Sequence, residues 1–213
     1  SAVRRWAILA DQSGVGAALE KVLCSHSEVR ERIEWAGDGF DAELRPASPD
    51  EELQVVYLGS LDATDAQNGM DLCAQIPVRL IQKLSAAKRP AKLWLVTRGA
   101  QLAREGASSA AAALQAMTWG MGRVLGLEQP ELLGRLIDLD PESRPEESAE
   151  ILFREMMQPD AEDQIAFQRG ERLAPRLRHL APQALRQAEA QLRRDGSYLV
   201  TGAFGSVGRR VTR

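Results

Sequence analysis

The sequence has 213 residues, 44% hydrophobic and 27% charged. That is the balance of a soluble globular chain able to bury one sizeable core. A net charge of −3, with Lys and Arg dispersed along the chain, argues against a nucleic-acid partner, and no apolar run approaches the roughly 18 residues of a membrane span. The opening Ser-Ala-Val-Arg-Arg-Trp lacks a signal-peptide layout and reads as a cut inside a longer polypeptide. Cys24 and Cys73 are widely spaced, without a Cys-x-x-Cys, and read as reduced, buried thiols of a cytoplasmic protein. His26 and His179 have no ligand or nucleophile partner at useful spacing, so they are expected at the surface or satisfied locally.

Trp6–Ala10 is a short apolar run of strand length, Asp11–Gly16 a turn, and Ala17–Leu23 a helix by its apolar spacing. A weak strand is placed near Ile33–Ala36. Ser48-Pro-Asp-Glu opens a helical turn, with Pro in the first turn and acids at the positive end of the dipole. Gln54–Leu58 is the next strand and Asp65–Gly69 a polar loop. Met70–Ala87 is a helix that Pro77 should bend. Lys92–Thr97 is apolar enough for burial on both faces, as in a parallel sheet. Arg98–Gly106 is a loop, and Ser108 or Ser109 can cap the Ala-rich helix Ala110–Leu127. Gly134–Asp140 is a strand, Pro145–Met157 a helix, and Gln164–Gln168 a strand from which Gly170 onward returns as a hairpin. Ala184–Arg194 is a short polar helix or linker, and Tyr198–Thr201 the last strand. Strands alternating with helices predict an α/β fold, a truncated Rossmann-like parallel sheet flanked by helices, with right-handed crossovers.

The chain carries a hidden repeat. Leu9-Ala-Asp-Gln-Ser-Gly-Val-Gly16 aligns with Thr201-Gly-Ala-Phe-Gly-Ser-Val-Gly208, each running from an apolar strand toward a helix. The second copy keeps Gly202, Gly205 and Gly208, as a dinucleotide-binding turn requires: tight turning and close backbone approach to a pyrophosphate. Thr201, Gly202, Gly205, Ser206, Val207 and Gly208 are the candidate cofactor-binding residues, and Arg209 and Arg210 would favour a phosphate electrostatically. A tight strand–helix turn without a ligand is the competing reading. In the first copy Ala10 and Ser13 replace two of the three glycines, so it reads as a scaffold that no longer binds nucleotide; Glu34 stands where a ribose-binding acid could sit. No metal-ligand spacing and no Gly-x-Ser-x-Gly is present.

Three stretches, Leu93–Ala100, Gln115–Leu132 and Gly134–Asp140, together resemble the structural subdomain of ketoreductase domains in modular polyketide synthases. The specific one holds Trp119-Gly-Met-Gly-Arg123 and Leu127-Glu-Gln-Pro-Glu131, followed by the strand Leu136-Ile-Asp-Leu-Asp140. The resemblance covers nearly the whole chain. It implies residues 1–195 as a structural, non-cofactor-binding subdomain and 196–213 as the incomplete start of the catalytic Rossmann subdomain. In that family a truncated first half braces a second, of short-chain dehydrogenase type, which uses NADPH to reduce the β-keto group of a carrier-bound polyketide. Hydride would pass to the carbonyl carbon while a Tyr hydroxyl, assisted by a Lys, protonates the oxygen and a Ser holds it. The implied partners are the catalytic subdomain, an acyl carrier protein and neighbouring synthase domains.

The Tyr-x-x-x-Lys of that chemistry is absent, since Leu61 and Gly202 follow Tyr57 and Tyr198 at that spacing. The catalytic residues are therefore expected beyond Arg213, and the fragment is expected to be inactive alone. Ala203 and Phe204 also depart from a turn that usually begins with two glycines. This keeps open a scaffold from an inactive pseudo-ketoreductase that organises neighbouring synthase domains; a free-standing nucleotide-binding module would need strands that are missing. Gly120, Gly122 and Gly126 each cost a helix about 1 kcal/mol against Ala, so the helix holding them is expected to pack closely on the sheet or on the catalytic half. Gly120→Leu should then destabilise the fold. Met117, Met121, Val124 and Leu125 would form the apolar face, with Trp119 as a core or interface anchor.

Overall fold

The computed structural model describes residues 3–26, 29–33, 51–87, 89–101, 109–158, 160–179 and 195–211. They belong to two compact units, Ser1–Pro175 and Arg176–Arg213. The strands are β1 (Val3–Leu9), β2 (Val29–Ile33), β3 (Glu51–Tyr57), β4 (Ala91–Arg98), β5 (Leu133–Leu139), β6 (Gln164–Gln168) and β7 (Glu171–Leu173). The helices are α1 (Val15–Ser25), α2 (Ala66–Met70), α3 (Ile76–Ala87), α4 (Ala110–Glu128), α5 (Pro145–Met157) and, in the second unit, α6 (Gly208–Val211).

One sheet organises the first unit, in the order β2-β1-β3-β4-β5-β6-β7. Strands β1 to β6 are parallel, and β7 returns antiparallel to β6 as the expected hairpin. Side chains alternate across a strand. Trp6 and Ile8 therefore enter one core with Val56, Val96, Ile137 and Ile165, covered by α1 and α5. Ala7 and Leu9 enter the other with Val55, Leu93, Leu95 and Leu136, covered by α3 and α4. Burial on both faces is why Leu93–Val96 reads as a continuous apolar run. The expected α/β architecture is borne out.

One connection departs from the expected handedness. From β3 through β6 the chain steps in one direction across the sheet, yet α3 and α4 lie on one face and α5 on the other. The β5–α5–β6 crossover thus has the opposite hand to its predecessors, against the usual preference. The gain is coverage: α1 alone cannot shield its face of the sheet, and Ala149, Leu152 and Met156 of α5 complete that core.

Local departures have local causes. Asp65–Gly69 is not loop, because Asp65 caps α2, accepting from the N–H of Gln67 and Asn68 while the Asn68 side chain accepts back from the Asp65 N–H. From α2 to α3 the chain stays helical through a wide π turn at Asp71–Gln75. Pro77 follows and has no N–H to give to Cys73, whose carbonyl instead accepts from Thr118 Oγ1 at 3.1 Å. The neighbouring Leu72 carbonyl accepts from Tyr57 Oη at 2.6 Å. The weak strand lies earlier than expected, at Val29–Ile33, with Glu34–Ala36 outside the described residues. Glu51 already belongs to β3 rather than to a helical turn, while Ser48–Asp50 and Ala184–Arg194 lie outside the described residues. Cys73 is buried but Cys24 is exposed; both are free thiols. His26 is exposed and lies against the Phe153 ring, and His179 is also exposed. Among the described residues no helix is long and apolar enough to cross a membrane.

Candidate functional site

The second glycine turn is formed as a turn, but the strand before it is not. Tyr198–Val200 does not adopt a strand, and Leu199 is 95% exposed. A parallel strand owes its hydrogen bonds to neighbouring strands, and the second unit has no strand of its own among the described residues. The expectation of a strand at Tyr198–Thr201 is therefore corrected. Gly202 has φ +71°, a conformation that L side chains rarely adopt. Its carbonyl accepts from the Gly205 N–H at 2.9 Å, and the Gly205 carbonyl accepts in turn from Arg209 at 3.0 Å. A Cβ on Gly208 would overlap the Gly202 carbonyl and Ala203, so the start of α6 folds back onto the turn through a glycine. Gly202, Gly205 and Gly208 are thus brought together, with Thr201, Ser206 and Val207 in the same turn. A Cβ built on Gly202 meets nothing within 4 Å, which leaves open the approach that a pyrophosphate would need. Phe204, at the tip, is 93% exposed.

The first copy shows the same architecture with different chemistry. Gly16 aligns with Gly208 and serves the same end: its Cβ would come 2.8 Å from the Ala10 side chain, at the position aligned with Gly202. The position where an anion would meet the start of α1 is occupied by the chain itself. One Asp11 carboxylate oxygen accepts from the Gly16 N–H at 2.7 Å; the other accepts from the Val15 N–H at 3.2 Å and from the Ser13 hydroxyl. Opposite, both carboxylate oxygens of Asp62 accept from the Gln12 N–H at 3.0 Å. Burial pushes the Asp62 carboxyl up, the Gln12 N–H partly offsets this, and the nearby Asp11 charge pushes it up further. These loops leave the carboxyl ends of β1 and β3, the adjacent strands at which the strand order reverses. Open α/β sheets place ligands at such a point. Glu34 lies outside the described residues.

Sequence reasoning missed Asp11 and Asp62. A carboxylate just after a strand and four residues before a helical N–H could have flagged Asp11, whereas Asp62 is reached only through the sheet topology. It also missed a buried chain at the ends of β4 and β5. Trp119 Nε1 donates to Thr97 Oγ1 at 2.7 Å, and Thr97 donates to Asp138 at 2.7 Å. Asp138 further accepts from the N–H of Ala100 and Gln101, each at 2.9 Å. Burial pushes its carboxyl above the ordinary range, more than these donors pull it down. Trp119 is therefore a core anchor, 3% exposed. Met117, Met121, Val124 and Leu125 do not share one buried face: Leu125 is buried and Val124 exposed. Gly122 is the glycine against the sheet, where a Cβ would overlap Leu136, whereas a Cβ on Gly120 would meet nothing within 4 Å. The expected tight packing at Gly120 is not found. Among the described residues no group of three His, Cys, Asp or Glu side chains could hold a metal ion.

This arrangement defines a Rossmann-like unit, a mostly parallel sheet with helices on both faces. Residues 5–177 match the family model of the Rossmann fold domain of polyketide synthase extender module SpnB, and the chain belongs to that family. It is 34% identical over 157 residues, 72% of its length, to a phenolphthiocerol/phthiocerol polyketide synthase of Mycobacterium tuberculosis. It spans 10% of that relative. Among solved structures it resembles an A1-type ketoreductase at 31% identity and TM-score 0.62, covering 84% of this chain and 39% of the other. It also resembles A-type ketoreductases from a modular polyketide synthase, at 28% identity and TM-score 0.61, over 84% and 39% of the respective chains. The chain is a ketoreductase-like part of a modular polyketide synthase.

Proposed function

We propose that the chain is the structural part, residues 1–195, of a ketoreductase that reduces the β-keto group of a carrier-bound polyketide with NADPH, and that residues 196–213 begin the catalytic half. The carrying observation is the contrast between the two aligned turns: Asp11 fills the anion position of the first, whereas the second keeps Gly202, Gly205 and Gly208 with open space above Gly202. Thr201, Gly202, Gly205, Ser206, Val207 and Gly208 would hold the pyrophosphate of NADPH, with Arg209 and Arg210 adding positive charge. The bound cofactor supplies hydride. The catalytic half, an acyl carrier protein and neighbouring synthase domains would be the partners, in the cytoplasm.

This chain alone is proposed to be inactive. Tyr57 Oη donates to the Leu72 carbonyl, and burial pushes its phenol well above the ordinary value, so it is held away from acid–base work. Tyr198 has Gly202 where a Lys is needed. The second reading, a pseudo-ketoreductase scaffold, is favoured by Ala203 and the exposed Phe204 in the turn. The test is NADPH-dependent reduction of a β-keto thioester by the complete domain, which extends this chain through its catalytic half, beside the 213-residue chain. Turnover by the complete domain alone is expected. Turnover by the 213-residue chain would overturn the assignment. A folded complete domain that reduces nothing would favour the pseudo-ketoreductase.

A further inference from the structure

The last strand of the sheet is held by charge rather than by burial. β7 is three residues long; Glu171 and Arg172 are exposed and Leu173 is only half-buried. Its register pairs with β6 are Leu173 with Ala166, Arg172 with Phe167 and Glu171 with Gln168. The turn that closes this hairpin does not lock it. Arg169 and Gly170 both have positive φ, 53° and 73°, as in a tight two-residue hairpin turn. Glycine takes that conformation freely, whereas a long L side chain such as arginine rarely does. An edge hairpin with so little apolar surface gains little from the core.

What fixes β7 is Arg172. Its pairing with Phe167 puts the Arg172 side chain on the face covered by α5. There its Nε donates to Glu155 Oε1 at 2.7 Å, and its Nη2 donates to Glu155 Oε2 at 3.1 Å and to Asp160 Oδ2 at 2.7 Å. The same two carboxylates are held by Arg135 of β5, whose Nη1 donates to Glu155 Oε2 at 2.5 Å and whose Nη2 donates to Asp160 Oδ1 at 2.8 Å. The Arg135 and Glu155 side chains are only 3% and 7% exposed. Without Arg172, one guanidinium would face two carboxylates; with it the four charges balance. Uncompensated charge beside a buried ion pair is costly, so the sheet recruits β7 through the forked, charge-assisted bonds of a single arginine. Arg172 itself is 36% exposed and Asp160 46%, which opens these bonds to competition by salt. Just past β7, at Arg176, the second unit begins.

We propose that β7 is an ionic strap: Arg172 clasps it onto Glu155 and Asp160, and release of the clasp peels it from β6 while the rest of the sheet stays folded. The freed segment, from the turn at Arg169 to Pro175, then joins the tether to the second unit and lengthens it by roughly 20 Å at full extension. The strap is independent of the reductase assignment. Amide exchange of the 213-residue chain tests it. Exchange at Glu171–Leu173 is expected to rise several-fold between about 0.05 M and about 1 M NaCl, where the screening length shrinks to about 3 Å, while Leu93–Val96 of β4 keeps its rate. Arg172→Met, which keeps the length and loses the charge, should exchange fast at both salt concentrations, and Arg172→Lys at an intermediate rate. Spin labels at Glu142→Cys and Arg178→Cys, both exposed positions, in a Cys24→Ser background, should show a longer and broader distance distribution once Arg172→Met is added. Protection of β7 that ignores salt or survives Arg172→Met, or β4 exchange that rises in step with that of β7, overturns the strap. A label distance that Arg172→Met leaves unchanged overturns the lengthening of the tether.

Discussion

Gly120 and Gly122 are two residues apart and do opposite things. A methyl at position 122 would be driven into Leu136, on β5, a buried interior strand of the sheet. Gly122→Ala is therefore expected to lower stability by about 1–3 kcal/mol, the usual cost of overpacking. Gly120→Ala should raise it by up to about 1 kcal/mol, since only helix propensity is at stake. Denaturant unfolding of the two variants reads both signs, and a loss of stability in Gly120→Ala would show that its open surroundings are misread. Asp138 gives a second residue-level expectation. Its folded-state pKa is raised by burial, so its protonation favours the fold. That contribution is complete below the ordinary carboxylate value of about 4 and is lost as pH rises through the raised value. The stability of the native chain minus that of Asp138→Asn should accordingly fall as pH is raised from 4, and a flat difference would mean that the three donors hold the carboxylate at its ordinary pKa.

At the scale of elements, most of the chain was legible because each helix or strand satisfies a local rule. Pro145 opens α5 as a first-turn proline, Ser109 caps α4 by accepting from Ala112, and Leu93–Val96 is apolar because both faces are covered. What was not legible depended on partners distant in sequence. The α2–π–α3 segment is stabilised by Tyr57 from β3 and Thr118 from α4, neither of which a local pattern can announce. Thr118→Val removes the hydroxyl that serves the Cys73 carbonyl while keeping the volume. The cost of leaving that buried acceptor unmet is expected to be about 1–3 kcal/mol. A drop in Tm of several degrees would confirm it, whereas an unchanged Tm would mean that the π turn satisfies its own carbonyls. Thr118 Oγ1 also lies 3.3 Å from Ser60 Oγ, so the variant removes that longer contact as well.

Taken whole, the first unit is a Rossmann-like sheet whose loops at the strand-order reversal are hydrogen-bonded to its own acids, Asp11 and Asp62. The repeat between residues 9–16 and 201–208 was visible as aligned letters, and the loss of two glycines pointed toward a non-binding copy. Missing from the letters was the replacement. Asp11 supplies to Val15 and Gly16 the acceptors that a bound anion would have offered, and Asp62 secures Gln12 from the far side of the crevice. The reversed crossover into β6 was equally invisible, because handedness is fixed by which face lacks cover and not by any single segment. The second unit was legible as a motif and less so as structure: its turn needs only neighbouring residues, but its strand needs a sheet.

The wide turn at Asp71–Gln75 also acts as an angular adjuster. A regular helix advances about 100° per residue, so one extra residue in a turn swivels everything before it relative to everything after. Here the swivel lets Gly69, ahead of the turn, lie under Leu114 of α4, while Leu80 and Leu84, behind it, point into the sheet core. Deleting a single residue between Asp71 and Gln75 would tighten the turn and rotate Gly69 off Leu114, uncoupling α2 from α4 while leaving composition and helix propensity almost untouched. Length, to the single residue, is therefore as strictly set in this segment as any side chain in the core.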